Sequence, residues 1–240
     1  MLFPIPTNII STEGLLLYTL LYFGIPASLI CVFGTLSIVT HKRPITRWIL
    51  YDFVKFWFCN MFFAMFVAFL LYKIVLTTIP LNHVRLLEDF STPIQFLILY
   101  FFVELGFYVL HVALHKIPFL WRFHKLHHEP YQLSYANSFK DSIVTTTGLL
   151  FFFLVAAEVL GISMFARFLV FFVYELLAAL SHFGTPWRFG RLDYFFLSPG
   201  VHYYHHQLVF EGKPVKNFGG AISLFDHLFN TADWGEAAKK

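Results

Sequence analysis

Nine of the twelve histidines in this 240-residue chain fall into a spaced pattern: His111 and His115, then His124, His127 and His128, then His182, then His202, His205 and His206. H-x-x-x-H puts two imidazoles one helical turn apart, and H-x-x-H-H puts all three on one helical face. Each motif is therefore half of a metal site. Neutral imidazole suits zinc, copper, iron or nickel, and nine imidazoles with no thiolate among them exceed what one ion can use. Two ions are expected. His41, His83 and His227 stand alone and are expected to be ordinary packed or surface residues.

Two carboxylates share the stripe of a ligand. Glu104 lies seven residues before His111, and Glu175 seven before His182, each one level deeper along its helix. Ionisable groups inside an apolar helix are costly and turn toward a partner or a cavity. The spacing predicts that each accepts the N–H of a metal-bound imidazole, which fixes the ring's tautomer; the alternative is an interhelical ion pair, with Arg167 as a candidate partner. Glu158 reads as a hairpin-end residue.

The chain that positions these residues is 58% hydrophobic and 13% charged, with 33 Phe and a mean hydropathy of +0.66. That is more apolar and less charged than a soluble domain, and it predicts an integral membrane protein. With no linker or low-complexity tract to divide it, residues 1–240 read as a single domain. The expected fold is all-α: a polytopic helical bundle of about four transmembrane helices, some as a hairpin, under a histidine-rich helical cap. Candidate spans are Gly14–Thr40, which is free of charge and lacks the basic flank of a signal peptide, so it is expected to remain as an anchor; Phe56–Ile79; a stretch from Pro93 that carries His111 at its end; and a hairpin divided near Gly161. Pro118 should end the third span just after His115, and Pro130 the next helix. Pro199, Gly200 and Gly212 should frame the second H-x-x-H-H.

Basic residues fix an orientation. On this map 14 Lys and Arg fall on one side of the membrane and only Lys73, Arg85 and Arg167 on the other. An excess of Lys and Arg marks cytoplasmic flanks, so both H-x-x-H-H clusters are expected to face the cytoplasm. The net charge of +3 is too small to point to nucleic acid. Cys31 and Cys59 sit in apolar stretches and do not suggest a disulfide. A zinc peptidase would need a Glu directly after the first histidine of H-E-x-x-H, but Val112 and Lys125 occupy those positions. A non-catalytic metal carrier or haem protein would instead place its histidine pairs inside the spans.

"ELGFYVLHVALH", "LWRFHKLHHEP", "SHFGTPW", "SPGVHYYHHQ" and "NFGGAISLFDHLFNT", in this order, resemble the fatty acid hydroxylase/sterol desaturase superfamily of membrane di-iron enzymes over residues 100–232. The resemblance implies that the nine histidines hold two iron ions, replaceable by zinc, and that O2 is used to hydroxylate or desaturate a lipid. It also implies an electron donor of cytochrome b5 or ferredoxin type and an endoplasmic reticulum or bacterial inner membrane. Glu104 stands where an Asp is common in that family. Val112, Phe225 and Asn230 replace a frequent Arg, Trp and Gly, and Pro186 stands where some members carry a further histidine.

Overall fold

The computed structural model describes residues 60–79, 85–129 and 140–234, with the single positions 32, 51, 55, 133 and 138. The expected first span lies outside these residues but for position 32, as do His41, His83, Cys31 and Cys59. The described chain is helical, with one isolated β-bridge between Phe196 and Ile222. Its helices are α1 (Met61–Thr78), α2 (Thr92–Lys116), α3 (Pro118–His128), α4 (Ile143–Val159), α5 (Met164–Ser181), α6 (Pro199–Phe210) and the short α7 (Leu224–Leu228). Helices α1, α2 and α5 are long and apolar enough to cross a membrane, and α4 is a shorter apolar helix.

The spans pack through small residues. Ala64, Ala68 and Tyr72 form a buried i, i+4, i+8 stripe on α1, which lies against α4. Gly106 lets Phe152 of α4 press onto α2: a Cβ there would stand 2.2 Å from the Phe152 ring. Lipid resembles a leucine side chain, so helices in a bilayer gain from such close approach rather than from hydrophobic exclusion. The outward face is correspondingly oily, with Phe62, Phe66, Leu97, Phe102 and Val109 all exposed.

The hairpin turns at Gly161, whose φ of +70° favours glycine and whose missing Cβ admits Arg85. Gln95 ties the same end together, donating to the Leu87 carbonyl at 2.9 Å and accepting from the Ser163 N–H at 2.9 Å. Below the turn, Arg167 meets Glu158 at 3.1 Å and also donates to the Ala157 and Ile162 carbonyls. Tyr72 of α1 donates to the same carboxylate at 3.0 Å. Arg167 therefore pairs with Glu158 at the hairpin end, not with Glu104 or Glu175.

At the opposite end the chain is punctuated by proline. Helix α2 stops at Lys116, Ile117 is extended, and Pro118 opens α3 at a position where its missing N–H costs nothing. Helix α3 folds back beside α2 and ends at His128; Pro130 lies outside the described residues. Pro199 opens α6 and Gly212, at φ +64°, follows its end. The end of α2, all of α3, the start of α4, the end of α5, α6 and the C-terminal segment meet here.

Candidate metal centre

The converging elements close eight imidazoles into two quartets. His111 and His115 from α2, His128 from α3 and His205 from α6 form one; His127 from α3, His182 at the C-cap of α5, and His202 and His206 from α6 form the other. Within each quartet the ligand nitrogens all lie within 4.8 Å of one another. Nε2 of His115 lies 3.2 Å from Nε2 of both His111 and His128. In the second quartet His182 Nε2 is 3.1 Å from that of His127 and 2.9 Å from that of His202, which is 3.1 Å from that of His206. Four nitrogens at the usual distance of ~2.0–2.1 Å from one tetrahedral ion would stand about 3.3 Å apart. Each quartet gathers lone pairs that could hold a metal ion.

Backbone carbonyls orient the rings from behind. Nδ1 of His111 donates to the Phe218 carbonyl at 2.8 Å, that of His182 to Ala178 at 2.8 Å, that of His205 to Lys216 at 2.6 Å and that of His127 to Lys140 at 3.3 Å. A proton held at Nδ1 leaves Nε2 as a free donor to metal. Nε2 of His205 is buried with no protein partner, as a waiting ligand atom would be. Burial and mutual repulsion among the rings hold His127, His128, His202 and His206 well below the ordinary imidazole range. Burial pushes His182 down to about 4 and His205 to about 3. These rings are neutral at pH 7, the form that binds metal.

His124, the ninth predicted ligand, belongs to neither quartet. Its ring lies 4.8–5.1 Å from those of His111, His115, His127 and His128, and its Nδ1 is 3.7 Å from the Asp141 carboxylate. It stands between the two sites. Trp121, one turn before it, covers the rings of His115 and His128 at 5.1 and 5.5 Å.

The two carboxylates do not touch a histidine. Glu104 is fully buried and accepts from the backbone N–H of Ala221 at 3.1 Å and of Ile222 at 3.4 Å. The acceptor for His111 is instead the carbonyl of Phe218, in the same loop that Glu104 holds. The seven-residue stripe aims Glu104 correctly but one link short. Glu175 likewise leaves His182 to the Ala178 carbonyl and faces a cavity. Asp226, which no spacing argument singles out, completes the loop: its two oxygens accept from the N–H groups of Phe218 and Gly219, each at 2.7 Å. Gly219 and Gly220 are required by closeness, since Cβ atoms there would stand 2.2 Å from the Ile222 carbonyl and 2.8 Å from the Phe107 ring.

A cavity of about 110 Å³ opens beside the quartets, lined by His111 of one, by His127, His182 and His202 of the other, and by His124 and Asp141. It continues between α2, α4 and α5 toward the apolar spans through Phe107, Leu149 and Tyr174. A small apolar molecule entering from that side would meet imidazoles of both quartets.

The comparisons with known proteins agree with this geometry. The family model described as fatty acid hydroxylase matches residues 96–231. The chain is 27% identical over 177 residues to an alkylglycerol monooxygenase of Caenorhabditis elegans, covering 72% of this chain and 33% of that protein. It is 30% identical over 129 residues to the ornithine lipid hydroxylase OlsE of Rhizobium tropici, covering 53% and 38%. Against a cholesterol 25-hydroxylase-like protein of Danio rerio it is 33% identical over 134 residues, covering 53% and 51%. These matches span a third to a half of each relative. No solved structure matches. The family match covers more than half of the chain and contains every histidine of the two quartets, so this integral membrane protein belongs to the fatty acid hydroxylase family.

Proposed function

We propose that the protein is an O2-dependent lipid hydroxylase that holds two iron ions, one in each histidine quartet, and takes electrons from a donor of cytochrome b5 or ferredoxin type. The observation that carries this reading is the pairing of two closed imidazole quartets with a cavity that leads into the apolar spans. Bound iron would supply the activation of O2 and the oxidation of an otherwise inert C–H bond. The reaction is RH + O2 + 2e⁻ + 2H⁺ → ROH + H2O.

The chain's own contribution is positioning and exclusion. Backbone carbonyls lock four ligand rings, Glu104 and Asp226 brace the loop behind His111, and Trp121 covers one quartet on the outer side. The Phe107 and Leu149 side chains keep the cavity oily beside the metal positions. Such a wall excludes water and favours a hydrocarbon segment of substrate. The likeness to an alkylglycerol monooxygenase and an ornithine lipid hydroxylase favours hydroxylation over desaturation. The distribution of basic residues supports a cytoplasmic position for the quartets, where a soluble electron donor or donor domain would reach them.

Protein purified from iron-replete cells should contain close to two iron ions per chain and, with reductant and lipid extract, consume O2 while forming a hydroxylated lipid. An alkene product would select desaturation, and folded, iron-loaded protein that consumes no O2 would refute the oxidase reading. Labelling of cysteines introduced at Lys125, Lys213 and Glu88 should place the first two together and the third on the opposite side.

A further inference from the structure

Deeper in the bundle lies a second cavity of about 80 Å³, between α1, α2, α4 and α5. It shares Met61, Thr146, Leu149 and Tyr174 with the cavity beside the quartets, so the two are consecutive chambers of one path. Its wall is largely hydrocarbon, including Val103, Phe152 and Val170, yet Glu175 also lines it. The other carboxylates within the spans are satisfied: Glu104 by Ala221 and Ile222, Glu158 by Arg167 and Tyr72. Glu175 makes no hydrogen bond or ion pair among the described residues. Of the other polar groups in the wall, Thr146 already donates to the Ser142 carbonyl and accepts from Asn60, and the Tyr174 hydroxyl lies toward Gly220, which lines the first cavity. A carboxyl group at such a depth is costly unless something in the cavity meets it.

We propose that Glu175 is the specificity-determining group of the lipid path and that it selects a lipid bearing a hydroxyl. The inference rests on the lipid-oxidase reading above and narrows its substrate. An apolar chamber demands a hydrocarbon ligand, and a lone carboxyl group within it demands one polar point on that hydrocarbon. A hydroxyl is the group that suits both protonation states of Glu175, because it donates to a carboxylate and accepts from a carboxylic acid. An ammonium would satisfy only the first state and a carbonyl only the second. Glu175 precedes His182 by seven residues on the same helix, which is about 10 Å at 1.5 Å per residue. The hydroxyl would thus be held two helical turns, about 10 Å of helix rise, below the level of His182, at the far side of the path from the C–H bond to be oxidised.

The test is binding without turnover, on full-length protein carrying zinc, which fits imidazole quartets and has no redox chemistry. Two probe pairs are used, cholesterol against cholestane and hexadecan-1-ol against hexadecane, each scored by displacement of its tritiated hydroxyl member. The native protein should bind the hydroxyl member of at least one pair about tenfold more tightly than its hydrocarbon partner, since a buried polar group left unmatched penalises the analogue that lacks the hydroxyl. Glu175→Leu should bring the two members of that pair within about twofold of each other, and Glu175→Gln should fall between. Both variants should retain two zinc ions per chain, which shows that the fold and the quartets survive. Equal binding of both members of both pairs to native protein, or an undiminished preference in Glu175→Leu, overturns the inference and leaves the lipid-oxidase reading standing. Native protein that binds none of the four probes overturns the lipid path itself, and the inference with it, whereas native protein that binds lipid but fails to consume O2 when loaded with iron refutes only the oxidase reading.

Discussion

The carboxylate of Glu104 lies 3.1 Å from the backbone N–H of Ala221, 117 residues further along the chain. The contact brings irregular backbone alongside a membrane-spanning helix, which is tolerated only where its polar groups find partners inside the protein. It also sets the height of the Phe218 carbonyl that receives the His111 proton. Glu104 thus braces, without touching a histidine, the loop whose Phe218 carbonyl orients His111.

Replacing Glu104 separates these effects. Glu104→Gln keeps one acceptor oxygen and the shape of the side chain, so metal affinity in the first quartet should fall roughly 10–100-fold, the usual cost of losing support behind a ligand. Glu104→Leu strands two backbone N–H groups, at about 1–3 kcal/mol each, and should empty that quartet while the second keeps its ion. Equilibrium dialysis against a metal buffer reads both outcomes. Unchanged affinity in Glu104→Gln would sink the coupling.

The same loop offers a steric test. Gly219→Ala drives a methyl group to 2.2 Å from the Ile222 backbone carbonyl, so the loop must shift and the protein should lose about 1–3 kcal/mol of stability. Gly148→Ala is the control, because a Cβ there meets nothing within 4 Å. Thermal unfolding in detergent should show a lowered midpoint for the first variant and none for the second.

Acid should destabilise the metal-free protein in a defined window. The cap histidines have depressed pKa values in the folded state, so the unfolded chain binds more protons as the pH drops below about 6.5. Folded-state stability is therefore full above that pH and falls as pH decreases toward about 4 and about 3, where His182 and His205 protonate in place. Denaturant titrations at pH 7.5 and 5 should differ in that direction. Bound metal should move the loss to lower pH, because ion and proton compete for the same nitrogen.

Much of the histidine arrangement was readable from spacing, and one part was not. Helical periodicity gathered His111 with His115 and each H-x-x-H-H onto one face, while Pro118 and Gly161 marked turns where the structure has them. Pairing across helices left no local signal: which histidine of α3 meets which of α6 depends on how the helices cross. The partners of Glu104 were equally hidden, since the backbone N–H groups that it accepts belong to every residue and carry no sequence signature. Glu175 shows the limit of stripe arguments, because the same seven-residue offset that aims Glu104 at a loop leaves Glu175 facing a cavity.

The split of neighbouring histidines between quartets gives the sharpest prediction. His127 and His128 are adjacent, as are His205 and His206, yet each pair divides: His128 and His205 serve one quartet, His127 and His206 the other. Successive residues on an α-helix point about 100° apart, so two neighbours can reach two different ions. His205→Ala should therefore lower the metal content from about two ions per chain to about one, and His206→Ala should do the same by emptying the other site, because three imidazoles remain where four were gathered. Combining the two changes should remove both ions. Combining His205→Ala with His128→Ala, both from one quartet, should still leave one. His124→Ala, which removes a ring from neither quartet, should retain two. Elemental analysis of each folded variant decides the matter; loss of both ions on His205→Ala alone would show a single cooperative cluster rather than two quartets.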